Sequence, residues 1–197
     1  MSQFIQTCPA CGVRTLERAE LQPLLPCFRC PRCAGQWIRG EHYFRWLEHP
    51  DRKHTDVNPN VVGEPHDSKR AMICPECGKL LSRYRVGHGV SFSIDRCAGC
   101  GGIWLDANEW ETLQQHHLED RIHMIFSTAW QGQILREEQQ KAFEQRLVSR
   151  IGDEHFAELK RVVAWVDTHP HRAEIAAFLL QHLRALEPPK AHPLESP

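Results

Sequence analysis

Long apolar runs are missing from this chain. The longest, Ile175 to Leu180, falls far short of the ~20 residues that a membrane-spanning helix requires. The segment Met1 to Thr7 has neither the basic start nor the apolar centre of a secretory signal. These two absences lead to the expectation of a cytoplasmic protein with no membrane partner. Catalytic signatures are missing as well. There is no Gly-x-Ser-x-Gly, no Gly-x-x-x-x-Gly-Lys-Ser/Thr, no Gly-x-Gly-x-x-Gly and no His-Glu-x-x-His. No enzyme and no small-molecule substrate are therefore expected. Nor is there a large charge of one sign: 24 Lys+Arg stand against 25 Asp+Glu, a net of −1 over 197 residues. Any phosphate-binding surface must be a local patch.

What the chain does have is cysteine, nine in all. In a reducing compartment disulfides do not persist, so metal binding is the default reading of so many thiols. Eight of them fall into Cys-x-x-Cys pairs: Cys8 with Cys11, Cys30 with Cys33, Cys74 with Cys77, and Cys97 with Cys100. This spacing fits two four-cysteine zinc sites. Cys27 is left over. It reads as a small core residue, although its spacing to Cys30 leaves alternative ligation open.

The paired cysteines belong to an internal repeat. Cys8-Pro9-Ala10-Cys11-Gly12 corresponds to Cys74-Pro75-Glu76-Cys77-Gly78. Arg29-Cys30-Pro31-Arg32-Cys33-Ala34-Gly35-Gln36-Trp37-Ile38 corresponds to Arg96-Cys97-Ala98-Gly99-Cys100-Gly101-Gly102-Ile103-Trp104-Leu105. A helical pattern closes each copy, over 41–48 and 108–115. Each Cys-x-x-Cys turn is a knuckle whose two thiolates converge on one metal. Proline presets the turn, and glycine after the second cysteine permits the left-handed backbone that closes it. Four protein thiolates leave no open coordination position, which argues for structural rather than hydrolytic zinc.

These motifs resemble the bacterial zinc ribbons known as transcription factor IIB-type zinc-finger domains. The resemblance is nearly complete in the second copy, through Cys97-Ala98-Gly99-Cys100-Gly101-Gly102-Ile103-Trp104-Leu105-Asp106. The first copy departs from it where Gln36 and Arg39 occupy the places of Ile103 and Asp106. It covers about residues 8–48 and 74–115 and implies zinc and a ribbon fold, without fixing a function.

Further along, Val90, Phe92 and Ile94 alternate with polar residues, a strand signal, and Leu25 and Cys27 hold the matching positions of the first copy. Asp106 and Glu109 read as a capping box opening a helix. Residues 49–70, polar and proline-rich with only Val61 and Val62 apolar together, read as a flexible linker. From 119 onward the pattern is helical. Ile122, Ile125, Phe126 and Ala129 form one stripe, Phe156, Leu159, Val162, Val163 and Val166 a second, and Ile175, Phe178, Leu179, Leu183 and Leu186 a third. Gly132 is a candidate break and Pro170 a helix boundary. The expected fold is thus small α+β: two tandem zinc ribbons, each a set of short antiparallel hairpins on a four-cysteine site plus a short helix, followed by an α-helical region. The expected boundaries are 1–48 and 71–118 for the ribbons, 119–187 for the helices and 188–197 for a disordered tail.

Two readings of function follow. Residues 1–106 hold 14 Lys/Arg against 11 Asp/Glu, and residues 107–197 hold 10 against 14. Ribbon one gains positive charge over ribbon two at Arg32, Arg39 and Arg45, where ribbon two has Gly99, Asp106 and Thr112. Phe28, Trp37, Tyr43, Phe44 and Trp46 lie among these arginines, a composition suited to bases and phosphates. The first reading is a regulator that contacts DNA or RNA through Arg32, Arg39 and Arg45. The alternative is an adapter whose ribbons and helices bind proteins, and an exposed apolar groove along Phe156 to Leu186 would favour it. A metal-handling role ranks last, since closed sites exchange zinc slowly. His116, His117 and His123 are read as surface residues rather than a third site.

Overall fold

In the computed structural model the described residues are 7–52 and 63–185. The middle of the expected linker, with Val61 and Val62, lies outside them, as do Leu186 and the expected disordered tail. The chain divides into two compact units, Met1–Glu137 and Glu138–Pro197. The fold is α+β, with two ribbons and six helices among the described residues.

The first copy of the repeat folds as β1 (Glu17–Gln22), β2 (Leu25–Arg29), β3 (Gln36–Ile38) and α1 (Gly40–Leu47). The second folds as β4 (Leu81–Gly87), β5 (Val90–Cys97), β6 (Ile103–Leu105) and α2 (Glu109–Gln115). The two copies are not separate beads. They meet edge to edge in one antiparallel sheet of order β1-β2-β3-β6-β5-β4. At the seam Gln36 pairs with Leu105, Trp37 with Trp104 and Ile38 with Ile103, a register that is symmetric about the tryptophan pair. A three-residue strand left at a sheet edge would expose unpaired backbone groups. Here each copy's short strand supplies the other's missing neighbour.

Side chains alternate across the sheet. One face carries Leu25, Cys27, Ile38, Phe92, Ile94 and Leu105, covered by α1 and α2. Their buried Trp46 and Trp110 rings meet edge to face at 5.8 Å. The other face carries Trp37 and Trp104 beside the cysteine clusters. Each tryptophan lies over a glycine of the opposite copy. A Cβ on Gly35 would fall 2.2 Å from the Trp104 ring, and one on Gly102 would fall 2.1 Å from the Trp37 ring. Neither glycine has a positive φ, so space rather than backbone conformation requires glycine at both places.

The capping box forms only in part. The Asp106 backbone N–H donates to Glu109 Oε2 at 2.8 Å. The Asp106 carboxylate turns elsewhere, accepting from Trp104 Nε1 at 2.9 Å and from the Ser68 N–H at 2.8 Å. Ser68 is thereby buried, and His66 donates its N–H to Ala107 O at 3.0 Å, so residues 66–68 are held against the second copy. Asp95, placed on the polar face by simple alternation, is buried under Arg83, with Nη2 to Oδ2 at 3.3 Å.

Two further elements complete this unit: α3 (Ile122–Ile125) and the start of α4 (Thr128–Ile151). Ile122 and Ile125 are fully buried. The Gln131 side chain accepts from the Arg85 N–H at 3.2 Å and donates to Arg85 O at 2.8 Å, as a neighbouring strand would. That contact covers the β4 edge. Gly132 does not interrupt α4.

In the second unit, α4 ends at Gly152, whose φ is +81°. There follow α5 (Asp153–Thr168) and α6 (Arg172–Ala185), joined through Pro170. Lys160 and Glu144 form an ion pair at 3.0 Å. No residue of α5 is buried.

The two kinds of glycine predict opposite results. Gly102→Ala should destabilise the ribbon unit by about 2–3 kcal/mol through overpacking against Trp37. Gly132→Ala, in a helix with only Arg136 Nη1 nearby at 3.6 Å, should stabilise by up to about 1 kcal/mol. Thermal unfolding of the two variants checks both signs.

Candidate metal centres

Each knuckle is built by the same two backbone hydrogen bonds. In the first, Cys8 N–H donates to Val13 O at 2.8 Å and Gly12 N–H donates to Cys8 O at 2.9 Å. The same pair recurs from Cys30, Cys74 and Cys97. The residue after the second cysteine takes a left-handed conformation in all four knuckles, with φ of 73° at Gly12, 58° at Ala34, 71° at Gly78 and 72° at Gly101. Backbone N–H groups also point at sulfur: Glu76 N–H at Cys74 Sγ, 3.4 Å, and Gly99 N–H at Cys97 Sγ, 3.3 Å.

The knuckles bring the thiols together as the spacing implies. Cys8, Cys11, Cys30 and Cys33 form one cluster, and Cys74, Cys77, Cys97 and Cys100 the other, with all sulfurs of a cluster within 4.8 Å of one another. The closest contacts are Cys8–Cys33 at 3.6 Å, Cys11–Cys30 at 3.5 Å, Cys74–Cys100 at 3.6 Å and Cys77–Cys97 at 3.3 Å. A zinc ion with Zn–S bonds of ~2.3 Å sets sulfurs ~3.8 Å apart, so the donor sets fit tetrahedral zinc. The protein carries two structural zinc sites, each with four protein ligands.

The thiols do not start out equivalent. Burial pushes Cys74 up to about 11. At Cys97 burial is outweighed by the N–H of Cys100, the thiol of Cys77 and the N–H of Gly99, and the value falls to about 7. A metal entering the site must displace the remaining protons, which makes loading pH-dependent. The sites also differ in access. The second ligand of each knuckle is partly shielded at the first site, Cys11 and Cys33, and exposed at the second, Cys77 and Cys100.

Cys27 belongs to neither cluster. It is 2 % exposed in the core beside Leu25, and burial pushes its thiol up to about 11, far from a reactive thiolate. His116, His117 and His123 join no group of metal-ligating side chains among the described residues. The His123 ring lies 6.4 Å from that of Tyr43.

The three arginines proposed for nucleic acid fare differently. Arg32 and Arg45 are exposed. Arg39 is paired with Glu76 of the second copy's first knuckle, and its guanidinium stacks over the Phe28 ring at 5.2 Å. The aromatic residues among them are mostly unavailable for base stacking. Trp37, Tyr43 and Trp46 are buried, and only Phe44 is substantially exposed. Tyr43 is fixed inside, its hydroxyl donating to Glu119 O and accepting from the Ile122 N–H, both at 3.1 Å. Sequence reasoning missed Glu76, because a lone glutamate inside a knuckle gives no sign of a partner 37 positions away.

The family described as transcription factor zinc-finger matches residues 7–49 and again 73–116. The chain thus carries two tandem copies of that domain, while α3 to α6 lie outside the match. No curated protein and no solved structure matches the chain.

Metal analysis of the purified protein should return two zinc ions per chain, and Cys74→Ser should leave one, since the metal supplies about 10 kcal/mol or more of folding free energy to such a site. A chelator followed by native mass spectrometry should strip the second site first, because Cys77 and Cys100 face solvent. Loss in the reverse order would contradict the ranking by access.

Proposed function

We propose that this protein is a zinc-stabilised adapter without catalytic chemistry, working in a reducing compartment such as the cytoplasm. Its helical unit pairs with a second copy of the chain, and its double ribbon is the rigid platform so presented. One observation carries this reading. Eight large apolar side chains of α5 and α6, from Leu159 to Leu183, are 41–60 % exposed. An exposed patch of this kind on a small domain marks an association surface. The occupant follows from two features. α6 is apolar on nearly all sides, with only Arg172, Glu174 and Arg184 charged, and such a helix calls for neighbours on more than one face. Residues 138–185 also hold seven Lys/Arg and seven Asp/Glu, so two copies meet without net repulsion. Two helix pairs give the four-helix arrangement in which apolar faces of this type close. Among the described residues no helix is long and apolar enough to cross a membrane.

The earlier reading, phosphate contact through ribbon one, keeps two supports: the exposed Arg32 and Arg45, and the transcription-factor description of the matched family. With Arg39 held by Glu76, it predicts about two phosphate contacts and a log–log salt slope of roughly −2. Arg32→Gly with Arg45→Thr should then abolish binding to a random-sequence oligonucleotide and leave both zinc ions in place.

Light scattering on the eluting full-length protein tests the adapter reading. Twice the chain mass is expected at micromolar concentration. A chain carrying Leu159→Glu, Val163→Lys, Phe178→Glu and Leu183→Lys should elute as one chain, with helicity retained. A wild-type monomer would overturn the reading, whether or not it captures another protein or a lipid vesicle.

A further inference from the structure

The seam between the two ribbons is nearly symmetric, and a symmetric seam raises a problem of partner choice. The same Gly-and-Trp surfaces that join copy one to copy two could join two first copies, or two second copies, of different chains. We infer that the seam is made heterotypic by the pairing of Arg39 with Glu76, so that it accepts the unlike ribbon and rejects a like one.

The key is charge. Arg39, 23 % exposed, reaches across the seam to Glu76, 14 % exposed. The repeat places Asp106 where Arg39 stands, and Ala10 where Glu76 stands. The seam's symmetry therefore lets each pairing be read off. Unlike copies give one opposite-charge pair, Arg39 with Glu76, and leave Asp106 with Trp104 and Ser68 of its own copy. Two first copies would set Arg39 against Ala10 twice and leave both guanidinium groups half-buried without a carboxylate. Two second copies would leave both Glu76 carboxylates part-buried without a guanidinium, since Asp106 stays with Trp104 and Ser68 of its own copy. Specificity of this kind needs the penalised alternatives, here part-buried charges left unpaired, as much as the attractive pair.

Close backbone approach and a buried amide accompany this pair. A Cβ on Gly40, at the start of α1, would lie 2.8 Å from Gly101 O and 2.9 Å from Gly101 C. Those are backbone atoms that cannot turn aside. Two first copies would bury Gln36 twice. Its Oε1 already lacks a partner in the one copy the seam contains, and each unpaired buried amide carries a desolvation cost.

This inference does not rest on self-association through the helices, and the test keeps the two apart. All chains carry the four helix substitutions given above, so any remaining dimer comes from the seam. Arg39→Glu alone faces Glu76 with a like charge, and Glu76→Arg alone faces Arg39 with one. Each variant by itself should show an open seam, read as a red-shifted emission from Trp37 and Trp104. Mixed one to one and refolded with zinc, they should recover the parent emission and run at twice the chain mass with four zinc ions. The first ribbon of each then meets the complementary second ribbon of the other. Arg39→Glu combined with Glu76→Arg in one chain should restore a closed monomer. The inference is overturned if the single variants keep the parent emission as monomers, if the mixture yields no two-chain species, or if the combined variant stays open.

Discussion

The two tryptophans at the seam can be buried only because glycine stands opposite each of them. Trp37 and Trp104 are the largest side chains on the zinc-bearing face, and each ring occupies the volume that a side chain on the other copy's Gly102 or Gly35 would fill. Much else follows from that mutual fit. It holds β3 and β6 in register and turns two three-stranded pieces into a six-stranded sheet. It also sets α1 and α2 side by side, where Trp46 and Trp110 meet. The zinc sites flank this centre, so the metal fixes the knuckles and the knuckles present the glycines. Metal binding, strand pairing and ring burial are three parts of one arrangement.

The near-identity of the two copies makes their differences informative. Where copy two has Asp106, the carboxylate stays within its own copy, accepting from the Trp104 indole and the Ser68 amide. Where copy one has Arg39, the Trp37 indole nitrogen is left without a partner, and the side chain crosses to Glu76. Copy one thus loses a local hydrogen bond and gains a contact between copies. The cost of an unsatisfied indole N–H is on the order of 1–3 kcal/mol.

The metal sites were legible in the sequence because their signal is local. Cys-x-x-Cys states both the residue type and the spacing that one metal needs, and the repeat shows which pairs belong together. The fold class followed, as did the core position of Cys27. The seam was not legible, because Gly-x-Trp reads the same in a ribbon that stands alone and in one that faces a partner. For the same reason Arg39 looked like part of an anion-binding surface: its divergence from Asp106 was visible, but the carboxylate that explains it lies 37 positions away. The aromatic residues among the arginines were counted by composition, whereas pleat and helix phase turn Trp37, Tyr43 and Trp46 inward. In the C-terminal region the stripes of α5 and α6 were visible, but periodicity shows only that a face is apolar. It does not show whether the chain itself provides what covers that face.

The central claim is that the two ribbons are one folded unit, each copy completing the core of the other. Amide hydrogen exchange in a chain carrying Cys8→Ser tests it most directly, because the substitution removes a ligand from the first zinc site alone. If the ribbons form one unit, protection should fall in β3 and also in β6, within the copy whose four cysteines are untouched. Exchange confined to the first copy, with the Ile103 to Leu105 amides as protected as in the wild type, would contradict it.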